Sequence, residues 1–130
     1  MANLSTRIPW KPERNKRRIP AGERKKLWAK SGNRCAFPKC KAILTEVENE
    51  ENKIAGEEAH IVALNDGGPR GDPIFPIKKR NLEENLILFC SKHHKIIDDD
   101  PESWTVEKLR QMKSYIYCWQ RQPDLLWENV

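Results

Sequence analysis

The sequence predicts a small α+β domain in which two short strands and a helix are flanked by an N-terminal and a C-terminal helix. Three observations predict this class. Helix-like segments lie toward both ends of the chain, two strand-like segments lie between them, and cysteines and a histidine at metal-ligand spacing lie beside the strands. With 130 residues, 38% of them hydrophobic, the chain can bury only a small core, so a metal staple would add needed stability.

The chain divides into three parts. Residues 1–20 are basic and interrupted by three prolines, which predicts an extended arm. Residues 21–122 carry the predicted helices and strands and form the folded domain. Residues 123–130 are predicted to be a short apolar tail.

The first helix is predicted over Ala21–Ser31. Pro20 lies at its start, where a missing backbone N–H costs little, and Gly32 is placed to end the helix in a left-handed conformation. After it, Cys35–Cys40 is predicted to be a turn with a cysteine at each end, and Ala42–Leu44 a short strand.

The central part of the chain alternates loops with strands. The acidic segment Thr45–Lys53 is predicted to be an exposed loop, and Gly56–Leu64 ends in a strand-like apolar run. Asn65–Pro73 is dense in turn residues, and irregular structure is expected to continue to about Glu84. A loop of this length, from Asn65 to about Glu84, is usually functional or disordered in a small domain. The second strand is predicted over Asn85–Cys90.

Two more helices complete the domain. Ser91 is expected to cap the N-terminus of the first of them. This helix is expected to end at Asp98–Asp100, before Pro101. Thr105 is expected to cap the last helix, over Val106–Gln120. The apolar residues of this helix recur at three- and four-residue spacing, so one stripe should face the core. The stripe consists of Val106, Leu109, Met112, Ile116 and Trp119.

Two clusters, Cys35-x4-Cys40 and Cys90-x2-His93, predict a structural zinc site. Zinc takes four soft or borderline ligands in a tetrahedron, often as two pairs on tight turns. Such a zinc-knuckle staple would clip the first helix to the central strands. The alternative is that the three cysteines are buried free thiols and that the histidine lies near them by chance, without a metal ion. Cys118 lies within a helix and is interpreted as a small core residue.

The charge of the chain is asymmetric and favours a nucleic-acid partner. Residues 1–34 hold eleven Lys/Arg and two Glu, whereas the remaining residues carry a net charge of −4. A basic arm of this kind suggests DNA, although it could also be only a solvated tail. The candidate phosphate-binding residues are Arg14, Lys16, Arg17, Arg18, Arg70, Lys78, Lys79 and Arg80.

The expected location is the cytoplasm. The longest apolar run, Leu86–Cys90, is far too short to cross a membrane, and the basic N-terminal part has no apolar signal-peptide core. No membrane partner is therefore expected. A reducing compartment suits clustered cysteines that bind metal.

Three motifs resemble the HNH endonuclease family, whose members share a small ββα-metal fold. They are GEEAHI, GGPRGD and NLILFCSKHHKIID, in that order, and the resemblance covers roughly Cys35 to Lys113. The sequence is similar to the HNH domains fused to sensor domains in bacterial anti-phage defence proteins. The resemblance implies a nuclease domain with catalytic histidines and an asparagine.

The resemblance assigns roles to individual residues. His60 would be the general base, because imidazole ordinarily titrates at about pH 6.5. Asn85 would hold His60 in position, and His94 would bind a catalytic divalent cation such as Mg²⁺. His93 and His94 would point about 100° apart on one helix, so each could serve a different ion.

One position departs from the common family pattern. The residue before the first histidine is often an acidic metal ligand, but here it is Ala59. Strand alternation places Glu57 on the side of Ala59 and Glu58 on the side of His60. Glu57 is therefore the expected second ligand of the cation, and Glu58 stays open as an alternative.

The predicted function is a metal-dependent endonuclease that hydrolyses DNA phosphodiester bonds, as the effector of an anti-phage defence system. The alternative is a non-catalytic zinc-stapled module that binds nucleic acid or protein. A binding module would have no need for His60, Asn85 and His94 together. Further partners would be a sensor subunit, another protein or a second copy of the chain, and RNA stays open as a substrate.

Overall fold

The computed structural model describes residues 18–45 and 56–121. The predictions for most of the arm, for the acidic loop beyond Thr45 and for the apolar tail lie outside these ranges. The described residues form a small α+β structure with three α-helices and one two-stranded antiparallel sheet. In chain order these are α1 (Ala21–Ser31), β1 (Gly56–His60), β2 (Leu86–Cys90), α2 (Ser91–Asp99) and α3 (Val106–Gln120).

The ends of α1 and α3 follow the predicted capping residues. Gly32 takes φ 64° after α1, and its N–H donates to Ala29 and Trp28 carbonyls. Thr105 Oγ1 accepts a hydrogen bond from Lys108 N at 3.3 Å at the start of α3. The cap of α2 differs from prediction.

Helix α2 begins at Ser91, and Cys90 takes the N-cap position. The Cys90 side chain makes no capping hydrogen bond. Its sulfur lies 3.2 Å from His93 Nδ1 instead. The predicted serine cap was therefore wrong, because the chain turns into the helix one residue earlier to bring two ligand atoms together.

The register of the sheet separates the two candidate sites. Gly56 pairs with Cys90, and His60 pairs with Leu86 at the other end of the ladder. Five residues of strand span about 13 Å. The cysteine cluster and His60 therefore lie at opposite ends of the same two strands.

Strand β1 is shorter than predicted. It ends at His60. Ile61 N still donates to the backbone oxygen of Asn85, but Asn85 N donates to Leu82 O and the Asn85 side chain accepts from Val62 N, so the ladder stops there. The segment Ala42–Leu44 also forms no strand of its own and contributes one isolated bridge between Arg34 and Ile43.

The core is built around β2. Its residues Leu86–Phe89 are all fully buried, because α1 covers the strand and α2 packs against both strands. The predicted stripe of α3 is confirmed, with three buried members and two that pack against the core; these are Leu109, Met112, Ile116, Val106 and Trp119.

Cys118 is exposed, so its interpretation as a core residue was wrong. It lies two residues, or about 200° of helix rotation, after the buried Ile116.

Among the described residues, no helix combines the length and the apolar content needed to cross a membrane.

Glu83 joins α1 to α3 from a short 3-10 turn before β2. Its carboxylate accepts hydrogen bonds from Lys30 at 3.1 Å and Tyr117 at 2.6 Å, and it pairs with Lys113 at 3.2 Å. Its backbone N–H donates to Glu23 at 2.8 Å. Burial alone would raise the pKa of Glu83, but the hydrogen bonds from Tyr117 and Lys30 and the charge of Lys113 lower it to about 2.

Candidate metal centre and active-site cleft

Cys35, Cys40, Cys90 and His93 form a cluster that can hold a metal ion, as their spacing predicts. One ligand atom from each lies within 4.8 Å of all the others. Cys35 Sγ and Cys90 Sγ lie 3.7 Å and 3.2 Å from His93 Nδ1. Adjacent ligands of a tetrahedral zinc ion lie about 3.5–3.8 Å apart, so the donor set is consistent with zinc.

Backbone hydrogen bonds place the cysteine turn against the sheet. Ala36 N donates to Leu88 O at 2.9 Å, which fixes the turn on the central strand. Cys40 N donates to Phe37 O at 3.0 Å, and Lys39 takes φ 67° so that the chain can reverse there. These hydrogen bonds shape the turn that carries Cys35 and Cys40.

Burial shifts the protonation equilibria of two residues in the cluster. Burial raises the pKa of the Cys35 thiol to about 12, so without a positive charge nearby this sulfur stays protonated. Burial lowers the pKa of His93, which keeps its imidazole neutral and able to ligate. The His93 ring stacks on Phe37 with centroids 4.0 Å apart, and this contact fixes its orientation.

A second feature is a cleft of about 180 Å³ at the other end of the strands. It brings together two predicted catalytic residues, His60 and His94. Asp98, which was interpreted as a helix end, also lines it. The remaining lining residues include Glu58, Ala63, Leu64, Asn65, Gly68 and Pro69.

Asn81 orients the His60 imidazole. Its Oδ1 lies 2.7 Å from His60 Nε2, so Nε2 is the nitrogen that carries the proton in this bond. His60 Nδ1 then carries the lone pair. The sequence interpretation named Asn85, which was expected to hold this ring in position through a hydrogen bond to the strand.

Asn85 fixes the backbone just beyond His60 through such hydrogen bonds. The residue is fully buried, and its side chain accepts from Val62 N at 3.0 Å and donates to Val62 O at 2.9 Å. It also donates to Arg80 O at 2.9 Å. Asn85 therefore positions the end of β1 through the main chain.

His94 lies between two carboxylates. Glu57 Oε1 is 2.6 Å from its Nδ1, and Asp98 Oδ2 is 3.0 Å from its Nε2. The hydrogen bond to Asp98 raises the pKa of His94 against the effect of burial, and the bond to Glu57 adds to it. Glu57, the predicted second ligand of the cation, thus contacts His94 directly, but of the two carboxylates only Asp98 lines the cleft.

Glu58 is held by α1. Its carboxylate accepts from Trp28 Nε1 at 2.7 Å and pairs with Arg24 Nε at 2.9 Å. It lines the cleft on the side of His60, as strand alternation predicts. Both contacts are made to the same carboxylate oxygen, Oε2.

Two predicted phosphate-binding arginines are buried supports of the fold. The Arg70 side chain is 3% exposed and bonds to His60 O, Ile61 O, Ile97 O and Asp98. Arg80 has a 5% exposed side chain, which contacts three backbone carbonyls and Asp66. They ion-pair within the protein, so neither is available to a phosphate.

The other predicted phosphate-binding residues differ in position. Arg18, Lys78 and Lys79 are exposed. Arg14, Lys16 and Arg17 lie outside the described residues. Among the predicted phosphate-binding residues that the structure describes, the exposed ones therefore lie in the loop before β2 and at the end of the arm.

Sequence reasoning missed the contact of Asn81 with His60 and that of Asp98 with His94. His94 and Asp98 lie four residues apart on α2, a spacing that places side chains on one helix face and could have identified the pair. Asn81 carries no comparable signal, since it lies in an irregular loop.

Comparisons with known proteins give no assignment for this chain. No protein-family model matches it, and no curated protein matches it in sequence. Its function must therefore be inferred from the two sites themselves.

Proposed function

We propose that this protein is a metal-dependent endonuclease of the HNH type, with a ββα-metal fold and a structural zinc. The observation that supports the proposal most is that His60, His94 and Asp98 line one small cleft. A base beside a histidine–carboxylate pair is what hydrolysis of a phosphodiester requires. If this end of the sheet served only a structural purpose, it would not need two histidines and a carboxylate in one cleft.

His60 is the general base in this proposal. The hydrogen bond from Nε2 to Asn81 leaves Nδ1 to take a proton from water. The resulting hydroxide attacks the phosphorus in line with the leaving oxygen. Asn85 and Arg70 hold the backbone from His60 to Val62, which limits the movement of the imidazole.

His94 and Asp98 would hold the catalytic divalent cation. Asp98 lies at Nε2 on the side of the cleft, whereas Glu57 lies at Nδ1 of the same ring. Ligating histidines commonly donate their other ring nitrogen to a carboxylate, so Glu57 becomes the orienting partner. When bound there, Mg²⁺ would stabilise the negative charge that develops on the phosphate.

Zinc is the proposed occupant of the cysteine–histidine cluster. Three sulfurs and one nitrogen suit a closed structural site, which leaves no ligand position for substrate. The ion would join the turn after α1 to the junction of β2 and α2. This staple would act through stability and not through the chemical step.

DNA is the proposed substrate, and the exposed Lys78 and Lys79 in the loop before β2 support it together with the basic arm. Within an anti-phage defence system, a sensor subunit or a second copy of the chain would control cleavage. RNA is the competing substrate, which the same assay distinguishes.

The test is cleavage of supercoiled plasmid and of a matched RNA with added Mg²⁺ or Mn²⁺. Wild-type protein should cut the plasmid, and His60→Ala should lose at least about a hundredfold in rate, as expected for a general base. Circular dichroism and zinc content of His60→Ala should match wild type. A folded, zinc-loaded wild-type protein that binds DNA without cutting it would support the binding-module alternative.

A further inference from the structure

An apolar groove of about 460 Å³ lies between the cysteine turn and α3. It shares no lining residue with the active-site cleft. Four of its lining residues, Lys108, Gln111, Met112 and Tyr115, follow one face of α3 at three- and four-residue spacing. The groove is therefore a continuous strip along the helix.

Aromatic rings and cations alternate along this strip and beyond it. Lys108 Nζ lies 5.6 Å from the Trp104 ring, and Lys41 Nζ lies 5.0 Å from Tyr115. Lys41 also lies 5.4 Å from the ring of Trp119, and Arg34 lies 5.6 Å from the same ring on α3.

These three cations have no carboxylate partner among the described residues. Other exposed lysines and arginines of the described residues do form ion pairs with carboxylates. Tyr115 is 55% exposed, although it is a large aromatic side chain. An apolar strip with unpaired positive charge favours a ligand that is both flat and apolar and carries negative charge.

We infer that this strip is a second nucleic-acid contact surface, which binds an unpaired strand. A single strand alternates bases, which stack on rings, with phosphates, which pair with cations. A duplex keeps its bases stacked inside and cannot insert them into the groove. The choice of nucleic acid over an acidic peptide draws partly on the proposed function, so the test separates the two.

The experiment measures binding of a labelled oligothymidylate by fluorescence anisotropy. It uses the full chain with His60→Ala and no added divalent cation, so that cleavage cannot contribute. Tyr115→Ala should weaken binding about tenfold, whereas Tyr115→Phe, which keeps the ring, should bind as the parent does. Lys108→Ala should flatten the log–log salt dependence by about 0.7, as one lost phosphate contact on a single strand does.

Lys26→Ala is the matched control, because Lys26 is exposed and pairs with Glu23 on α1. It should leave the salt slope unchanged. Equal affinity of Tyr115→Ala and its parent would overturn the inference, as would equal competition by polyglutamate of matched charge. Plasmid cleavage by the wild type reports on the proposed function separately, so either idea can fail while the other stands.

Discussion

His60 Nε2 lies 2.7 Å from the side-chain oxygen of Asn81, across 21 residues of sequence. This bond sets which ring nitrogen holds the proton and which can accept one. The loop between β1 and β2 thereby contributes directly to the state of the candidate base. Asn81 should accordingly affect the chemical step more than it affects substrate binding.

Asn81→Ala should lower kcat by about tenfold to a hundredfold while KM stays nearly constant, because the imidazole loses its orienting acceptor. Asn81→Asp keeps an oxygen acceptor and should retain most of the activity. Steady-state cleavage of a short duplex measures both parameters. A rise in KM alone would show that Asn81 contacts substrate instead.

Asp98→Asn should raise the Mg²⁺ concentration needed for half-maximal cleavage by about tenfold or more, since it removes a hard anionic ligand. Glu57→Gln should raise it less, because an amide can still accept a hydrogen bond from His94. Titrating cleavage against Mg²⁺ in each variant gives the comparison. A larger effect of Glu57→Gln would reverse the proposed ligand and orienting roles.

The Mg²⁺ concentration needed for half-maximal cleavage should also depend on pH. Hydrogen bonds to Asp98 and Glu57 raise the pKa of His94, so protons compete with the cation as the pH falls. The Mg²⁺ requirement should therefore increase steadily below neutral pH. Cleavage titrations at several pH values would measure it, and a flat requirement would contradict binding at His94.

Cys90→Ala should abolish zinc binding and unfold or loosen the domain, because metal-binding energy is folding energy in such sites. Cys118→Ser is the matched control, since Cys118 is exposed and outside the cluster. Its zinc content and melting temperature should equal those of wild type. Metal analysis and thermal unfolding test both, and a folded Cys90→Ala variant without zinc would disprove the staple.

Glu83→Gln should destabilise the fold by about 3 kcal/mol, because it leaves the buried Lys113 ammonium without its ion pair. The pKa of Glu83 is lowered from 4.5 to about 2, so its contribution is complete above about pH 4.5 and is lost as the pH falls toward 2. Urea unfolding at pH 7 and pH 3 measures this. Glu84→Gln, at an exposed neighbour, should change little.

The sequence predicts the parts of this structure that local spacing determines. Helices α1 and α3, strand β2 and the metal cluster all follow from caps, periodicity and two short motifs. The contacts of Asn81, Arg70 and Glu83 could not be predicted in this way. They join residues across an irregular loop, whose path depends on tertiary hydrogen bonds and not on any periodic pattern.

Arg70 illustrates the difference most clearly. An arginine in a glycine- and proline-rich loop resembles a solvent-exposed phosphate ligand. In the structure it takes φ 60° and turns inward to bond four groups around the cleft. Only the folded arrangement of β1 and α2 creates those acceptors.

The adjacent positions of His93 and His94 at the start of α2 restrict how the chain can vary in length. A residue inserted between them would rotate His94 and Asp98 together by about 100° around the helix axis, away from Glu57 and the cleft, while leaving the Cys90–His93 spacing intact. The same insertion in the turn after Asp100 would move neither histidine. Insertions and deletions should therefore be tolerated after α2 and not within its first turn.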